Sequence, residues 1–190
     1  MKRIGVLALQ GAFAEHIVML RRRGAEAVPV RLPEELEGLD GLVIPGGEST
    51  TIGKLMHLYG FNASLQRLLA DRFPVLGTCA GMILLAKHVI GLKGYSLGAI
   101  DIKVRRNAFG RQVDSFEADL QIPVLGDRLY RAVFIRAPWI EGVGRGVEVL
   151  ARLLDGKPVA AREGNTVVAA FHPELTGDSR FHNYFLSLVD

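Results

Sequence analysis

Short apolar runs of strand-like composition alternate with helical stretches through the first half of this 190-residue chain. Runs 27–32 and 41–44 show no clean alternation of polar and apolar residues, as expected for strands that helices cover on both faces. The pattern therefore predicts an α/β fold with a central, mostly parallel sheet flanked by helices. The predicted strands are residues 3–9, 27–32, 41–44 and 74–76, and the predicted helices are residues 12–23, 51–59, 63–72 and 80–90.

The second half of the chain has a different pattern, in which strand-like runs are separated by turn signals such as LDGKP and EGN. These runs predict additional antiparallel strands, and a final helix is predicted over residues 178–189. Because 190 residues are few enough to share one core, a single domain is expected over residues 1–190. The strand-like runs are residues 99–105, 115–122, 132–136, 147–153, 158–162 and 166–171.

The overall composition excludes several classes of protein. Hydrophobic residues make up 49% and charged residues 23% of the chain, a balance typical of soluble globular proteins. The apolar run after the basic N-terminus is too short for a signal peptide, and no stretch reaches the ~18 apolar residues of a membrane span. Basic residues outnumber acidic ones only by 23 to 20 and are spread along the chain, so neither a membrane nor a nucleic acid is expected as a partner.

The only cysteine, Cys79, lies in the sequence Gly-Thr-Cys-Ala-Gly between a predicted strand and a predicted helix. Glycines two residues to either side are typical of a nucleophile elbow, a sharp turn that exposes the nucleophile, and the helix N-terminus would stabilise a thiolate. A buried structural cysteine is the alternative. Because a lone cysteine cannot form an internal disulfide and a reduced thiol fits a reducing compartment, the chain is expected in the cytoplasm.

A histidine that suits this thiol as a base stands at the end of another predicted strand. His172 follows the run VVAAF, and Glu174 could hold its imidazole from two residues further along an extended segment. Taken alone, His-Pro-Glu could be a simple turn, but together with the elbow it indicates an acid–base pair. The remaining histidines fall in predicted helices and are expected to have structural roles; they are His16, His57, His88 and His182.

The sequence Pro-Gly-Gly-Glu-Ser-Thr at residues 45–50 also follows a predicted strand and precedes a helix. Paired glycines allow backbone N–H groups to face a phosphate or the oxyanion of an acyl transfer. A P-loop is excluded because Leu55 stands where Ser or Thr is required, and because the spacing from Gly47 to the Gly-Lys pair is too long. An oxyanion hole is the preferred interpretation, and a helix-capping turn is the alternative.

With these motifs the sequence resembles the class I glutamine amidotransferases, whose general signals are PGGEST, GTCAGM and FHPE. It is similar in particular to the family of glutaminase subunits of pyridoxal 5'-phosphate synthase. The resemblance implies a three-layer class I glutamine amidotransferase-like fold. The motifs of the particular family span nearly the whole chain and are GVLALQGAFAEH at 5–16, RNAFGRQVDSFEADL at 106–120, FIRAP at 134–138 and HPELTGD at 172–178.

The resemblance also implies roles for individual residues. Cys79 would be the nucleophile, His172 the acid and base, and Glu174 the carboxylate that orients the histidine. An arginine suits the α-carboxylate of the substrate, although residue chemistry alone does not choose Arg106 over Arg105. The implied glutamine-binding residues are Gly47, Glu48, Ser49, Arg106, Ile135 and Arg136; those of the oxyanion hole are Gly47 and Ala80; Gln10 would lie near the active site and the partner interface.

The implied reaction is the hydrolysis of L-glutamine to L-glutamate and ammonia through a γ-glutamyl thioester, with no metal or cofactor. The implied partner is a separate pyridoxal 5'-phosphate synthase subunit of (β/α)8 barrel fold, which receives the ammonia and whose binding raises a low basal activity. Two alternatives stay open: a cysteine hydrolase of another amide or a peptide on the same fold, and a non-catalytic subunit that keeps the fold as a scaffold.

Overall fold

The computed structural model describes residues 1–91, 95–107 and 114–190, and within these ranges the chain forms twelve strands and five α-helices. Residues 108–113 of the RNAFGRQVDSFEADL motif lie outside the described residues. The strands are β1 Arg3–Leu7, β2 Glu26–Val30, β3 Gly41–Ile44, β4 Val75–Thr78, β5 Ala86–Ile90, β6 Ile100–Arg105, β7 Ser115–Leu120, β8 Tyr130–Ile135, β9 Trp139–Val143, β10 Glu148–Arg152, β11 Pro158–Glu163 and β12 Thr166–Ala169. The helices are α1 Phe13–Arg22, α2 Ser49–Leu58, α3 Phe61–Ala70, α4 Ala80–Leu85 and α5 Arg180–Ser187.

A seven-stranded sheet in the order β10-β11-β12-β4-β3-β1-β2 forms the centre of the molecule. The five strands from β12 to β2 are parallel, whereas β10 and β11 pair in antiparallel fashion at one edge. Strands β3, β4 and β12 are buried along their whole length, which explains their largely apolar sequences. The predicted mostly parallel sheet with additional antiparallel strands is confirmed.

The remaining strands form two smaller sheets. Strand β6 pairs in parallel with β5 and in antiparallel fashion with β9, while β7 and β8 form an antiparallel pair. Strand β9 was absent from the sequence prediction because Glu141 and Gly142, both poor strand formers, interrupt its apolar pattern. No helix in the described part of the chain is long and apolar enough to cross a membrane.

The prediction of one helix over residues 80–90 was wrong in its second half. Helix α4 ends at Leu85, and the chain continues directly as β5, which pairs with β6 from Ala86 onwards. A continuous apolar run is compatible with a buried helix or a buried strand, and sequence periodicity does not separate the two. The pairing with β6 decides in favour of a strand, so His88 lies on a strand and not on a helix.

Two glycines allow α4 to pack tightly against the sheet. A Cβ atom added to Gly81 would lie 2.0 Å from the carbonyl oxygen of Ile44 at the end of β3, and one added to Gly77 would lie 2.7 Å from the carbonyl carbon of Gly81. Real Cβ atoms do not approach backbone atoms this closely, so any larger residue must push the helix away from the strands. Packing against β3 and β4 therefore fixes the position of the first turn of α4.

Replacing Gly81 by alanine is expected to lower the free energy of unfolding by about 1–3 kcal/mol, the usual cost of overpacking a well-packed interior. Urea unfolding followed by circular dichroism measures the change. The matched control is Gly177→Ala, since a Cβ atom at Gly177 meets nothing within 4 Å. Equal stability of the Gly81 and Gly177 variants would contradict the close approach of α4 to β3.

Candidate active site

Four neighbouring parallel strands end at one edge of the central sheet, and each leads into a loop with a predicted site residue. Strand β12 leads to His172, β4 to Cys79, β3 to Gly47 and β1 to Gln10. Because the four strands run in the same direction, their carboxyl ends lie side by side. Sheet topology thus gathers residues that are far apart in the sequence.

Cys79 occupies a sharp turn between β4 and α4. Its backbone has φ 50° and ψ −102°, an unusual conformation for a residue with a side chain, and it precedes the first turn of α4. The N–H of Cys79 donates to the carbonyl of Ala169 at 2.8 Å, and its Sγ lies 3.8 Å from the carbonyl oxygen of Ile135. Backbone strain of this kind persists where the surrounding structure enforces it, typically at functional sites. Strand, sharp turn and helix follow in the order that the glycine spacing predicts.

His172 and Glu174 form a buried hydrogen-bonded pair. Nδ1 of His172 and Oε1 of Glu174 are 2.7 Å apart, and the Glu174 side chain has no exposed surface. The connection is a single 3-10 turn, Pro173–Leu175, and not the extended segment that the sequence suggested. The turn directs the carboxylate back toward the imidazole, so the expected contact forms by a different backbone route.

His172 lies beside Cys79, with its other ring nitrogen turned toward the site. A Cβ atom on Gly46 would lie 2.4 Å from Cε1 of His172 and 3.3 Å from Cβ of Cys79, so both side chains pack against this one glycine. Nε2 of His172 is buried and finds no aligned hydrogen-bond partner among the residues described. Catalytic hydrogen bonds are often poorly aligned before substrate binds.

The surroundings of His172 favour its charged form. Burial, the largest single influence, disfavours the imidazolium, but the Cys79 side chain and the Glu174 carboxylate together outweigh it and raise the pKa of His172 to about 10. A protonated imidazole next to Cys79 stabilises a thiolate. His172 is therefore placed beside Cys79 in its proton-donating form.

Two histidines with expected structural roles lie directly behind this pair. Nδ1 of His16 is 2.9 Å from Nε2 of His182, and Nε2 of His16 is 3.1 Å from Oγ1 of Thr78 and 3.2 Å from Oε2 of Glu174. Both histidine rings are fully buried. Sequence reasoning missed this histidine cluster (His16, His182 and Thr78) because His16 and His182 are 166 residues apart and neither belongs to a motif that indicates contact.

Within residues 1–91, 95–107 and 114–190, no group of three or more His, Cys, Asp or Glu side chains is arranged to hold a metal ion. In the histidine cluster the ring nitrogens of His16 contact His182, Thr78 and Glu174.

The glycine loop after β3 contacts the loop after β1. The N–H of Glu48 donates to Oε1 of Gln10 at 2.8 Å, and the N–H of Ala12 donates to the carbonyl of Gly46 at 3.0 Å. A Cβ atom on Gly47 would lie 2.4 Å from Oε1 of Gln10, so the Gln10 side chain packs directly against this glycine. Gln10 thus fixes the conformation of the loop that contains Gly47.

Glu48 both caps α2 and pairs with an arginine. Its carboxylate accepts from the N–H groups of Thr50 and Thr51 at 3.2 and 2.7 Å, and Nη2 of Arg106 lies 3.3 Å from Oε1. Partial burial acts to raise the pKa of Glu48, but the hydrogen bonds from Thr51 and Thr50 outweigh it, and the pKa is lowered. Arg105, by contrast, pairs with Glu141 on β9. The structure therefore separates the two arginines that the sequence left undistinguished.

The other predicted glutamine-binding residues are distributed around the same edge. Ile135 ends β8 and is 38% exposed, with its carbonyl near Cys79. Arg136 has φ 43° and a largely exposed side chain 3.7 Å from Asp114. Ser49 and Ala80 begin α2 and α4 and are both buried. Arg136 points its charge to solvent, whereas Ile135, Ser49 and Ala80 begin or end elements that border Cys79 and the glycine loop.

The strand order and the position of the turn at Cys79 are those of a class I glutamine amidotransferase-like fold. A solved crystal structure of a glutamine amidotransferase superposes with a TM-score of 0.92 at 51% sequence identity, covering 97% of each chain. The structure of PurLQS from Thermotoga maritima shares the fold with a TM-score of 0.77 at only 14% identity, covering 98% of each chain. The predicted fold class is confirmed.

The chain belongs to the SNO glutamine amidotransferase family, which matches it over residues 6–190. A relative from Pelotomaculum thermopropionicum, pyridoxal 5'-phosphate synthase subunit PdxT, is 61% identical over 97% of this chain and 93% of its own length. The protein of the same name from Herpetosiphon aurantiacus is 57% identical over 97% of this chain and 99% of its own length. The resemblance found in the motifs is confirmed over nearly the full chain.

Acidification is expected to destabilise the folded protein through the histidine cluster. Burial lowers the pKa of His182 to about 4, and burial, with the charges of His182 and His172, holds the pKa of His16 well below its usual value. Below about pH 6.5 the unfolded chain therefore binds more protons than the folded protein, and stability falls by up to about 1.4 kcal/mol per pH unit for each histidine. His172, whose pKa is raised, has the opposite effect: its full contribution to the stability of the fold is present below about pH 6.5 and is lost only as the pH rises toward 10.

Urea unfolding between about pH 5 and pH 6.5 measures this slope above the range in which most carboxylates titrate. His182→Phe should reduce the slope, because it removes one of the two neutral buried histidines. The control His57→Phe should leave it unchanged, since His57 is exposed on α2. Identical slopes for the wild type and the His182 variant would show that His182 titrates normally in the fold.

Proposed function

We propose that the chain hydrolyses L-glutamine to L-glutamate and ammonia with Cys79 as nucleophile, His172 as acid and base, and Glu174 as the orienting carboxylate. The observation that carries the proposal is the position of His172, which is bonded to Glu174 at 2.7 Å and packs with Cys79 against Gly46. The protein is the glutaminase subunit of a pyridoxal 5'-phosphate synthase; its family and the names of its relatives support this assignment.

In the proposed first half-reaction, the Cys79 thiolate attacks the side-chain amide carbon of glutamine and forms a C–S bond. The resulting oxyanion collapses, the C–N bond breaks, and the His172 imidazolium donates its proton to the departing nitrogen, which leaves as ammonia. In the second half-reaction, His172 takes a proton from water, whose oxygen attacks the γ-glutamyl thioester. The C–S bond then breaks, and glutamate and the thiolate are released.

Backbone N–H groups of Gly47 and Ala80 are proposed to bind the oxyanion. Ala80 is the first residue of α4, next to the nucleophile, and Gly47 lies at the adjacent strand end. Donors fixed before the reaction stabilise developing charge without reorganisation, and each is worth about 3 kcal/mol in comparable enzymes. Gln10 lies against Gly47 and bonds to the next N–H, so any change in Gln10 changes this half of the hole.

Glutamine is proposed to bind along the loop after β3 and the end of β6. Glu48 and Ser49, at the beginning of α2, form one side of this site. Arg106 forms the other side, and its guanidinium lies 3.3 Å from the Glu48 carboxylate. A guanidinium recognises a carboxylate through paired hydrogen bonds, so Arg106 suits the substrate α-carboxylate. Ile135 and Arg136, at the end of β8, are proposed to close the site from the Cys79 side.

The ammonia is proposed to pass to a separate synthase subunit of (β/α)8 barrel fold, since ammonia released into water is protonated and loses its nucleophilicity. The relatives named above are themselves described as synthase subunits. Gln10 is the proposed point of activation, because a partner that engages its side chain changes the hydrogen bond to Glu48. A nucleophilic thiol needs a reducing compartment, which favours the cytoplasm.

Glutamate release by the purified chain, alone and mixed with the candidate synthase subunit, tests the activity. We expect release to rise strongly on mixing.

Cys79→Ala should abolish turnover, by about 10⁴-fold or more, because the bond-forming atom is lost, while the far-ultraviolet circular dichroism spectrum stays unchanged. Turnover by the Cys79 variant would refute the proposed nucleophile, and the absence of glutamate under both conditions would favour hydrolysis of another amide.

The role of Arg106 is tested with its neighbour as control. Arg106→Ala should raise the KM for glutamine by about 10- to 100-fold, since a hydrogen bond to a charged group contributes roughly 1.5–3 kcal/mol. Arg105→Ala should leave the KM unchanged, because Arg105 pairs with Glu141 on β9. Steady-state kinetics of both variants with the synthase subunit present decides the assignment. A similar KM for both variants would place the α-carboxylate elsewhere.

A further inference from the structure

The carboxylate of Glu174 contacts a histidine on each of its two oxygens. Oε1 bonds to Nδ1 of His172 at 2.7 Å, and Oε2 lies 3.2 Å from Nε2 of His16. The side chains of Glu174 and His16 have no exposed surface, so water does not compensate the buried charge. A buried carboxylate needs donors around it, and an oxygen facing only apolar groups is strongly disfavoured.

The hydrogen bonds of the histidine cluster indicate which nitrogen of His16 carries the proton. If Nε2 is protonated, its N–H faces Thr78 and Glu174, and Nδ1 accepts from Nε2–H of His182. The only unpaired nitrogen of the pair is then Nδ1 of His182, an acceptor. The opposite tautomer would turn a lone pair of His16 toward the Glu174 carboxylate and leave a buried N–H of His182 unpaired. Orphaned buried N–H groups are rarer than orphaned acceptors, so the first arrangement is preferred.

We propose that His16 is a positioning residue for the triad, whose Nε2–H, held by Thr78 and His182, fixes the Glu174 carboxylate that orients His172. The inference rests on the proposed function of the triad. The N–H is aligned with Oγ1 of Thr78. Oε2 of Glu174 has no aligned hydrogen-bond donor among the residues described, and Nε2 of His16 at 3.2 Å gives it an ion–dipole contact. Helix α1, strand β4 and helix α5 thereby each contribute one side chain to the support of a carboxylate that follows β12.

The charge state required of His16 agrees with its surroundings. Burial, then the neighbouring His182 and His172, lowers the pKa of His16, so the ring stays neutral and keeps one N–H and one acceptor. The groups that face it are His182 from α5, Thr78 from β4, and Glu174 and His172 after β12. Tyr130 on β8 is within electrostatic reach of Glu174, but burial raises its pKa, and it does not ionise in the assay range.

The test compares His16→Leu with His16→Gln in the complex with the synthase subunit. In the leucine variant Oε2 of Glu174 faces an apolar group, so kcat should fall by about 10- to 100-fold, the usual effect of removing an outer hydrogen-bond partner at an active site, while the KM for glutamine changes little. The acidic limb of the kcat/KM profile should move to higher pH, because the charged carboxylate has lost its dipole partner. The glutamine variant, whose amide N–H replaces Nε2–H, should recover most of kcat and the wild-type profile.

Two additions keep the experiment decisive. His57→Leu, on the exposed face of α2, should leave kcat and the pH profile unchanged. If His16→Leu does not fold, His16→Asn replaces it, because its shorter amide leaves Glu174 without a donor. A fall in kcat with an unmoved pH profile, or equal loss in the glutamine and leucine variants, would reduce His16 to a packing residue and overturn the proposal.

Alkylation of Cys79 by iodoacetamide separates failure of this inference from failure of the proposed function. Cys79 is the only cysteine in the chain, so mass spectrometry follows one site without glutamine turnover. The pH profile of alkylation should move in His16→Leu and return in His16→Gln. If the wild type releases no glutamate, the proposed function fails and alkylation alone decides the inference. Coincident alkylation profiles for the wild type and the leucine variant would overturn it.

Discussion

The close approach of α4 to the end of β3 determines where Cys79 lies. Gly81 brings the first turn of α4 against the carbonyl of Ile44, and Gly77 leaves room for that turn at the end of β4. The chain can make this approach only by turning sharply at Cys79, which explains the positive φ of a residue that carries a side chain. The conformational strain at Cys79 is therefore sustained by packing within the sheet, and the thiol does not depend on a flexible loop for its position.

Much of the fold and of the site was visible in the sequence because the responsible signals are local. The elbow, the His-Pro-Glu turn and the glycine loop each depend on residues within a few positions of one another, and the apolar runs before them define the strands. The boundaries at residues 86–90 were not predictable, since strand pairing with β6, and not local composition, ends α4 at Leu85. The correct contact between His172 and Glu174 was likewise predicted with the wrong backbone, an extended segment where a 3-10 turn forms.

The contacts of the histidine cluster could not be predicted from local sequence patterns. His16 lies on the first helix and His182 on the last, and only the packing of both helices against the sheet brings them together behind Glu174. A histidine on an apolar helix face is usually a satisfied core residue, and the sequence offers no further information about its partner. The same is true of Arg105 and Arg106, which are adjacent in the chain but point to different partners, Glu141 and Glu48.

If Arg106 binds the substrate as proposed, its ion pair with Glu48 makes substrate entry an exchange of partners. In the proposed role, Arg106 must weaken or break its ion pair with Glu48 when the carboxylate of glutamine binds. The free energy of that ion pair is therefore subtracted from the affinity of the site for glutamine. Glu48 keeps its hydrogen bonds to Thr50 and Thr51 throughout, so α2 remains capped while the arginine moves. In this proposed site Glu48 already satisfies the charge of Arg106, so a ligand without a carboxylate would compete poorly for the arginine, and the return of Glu48 would favour release of glutamate.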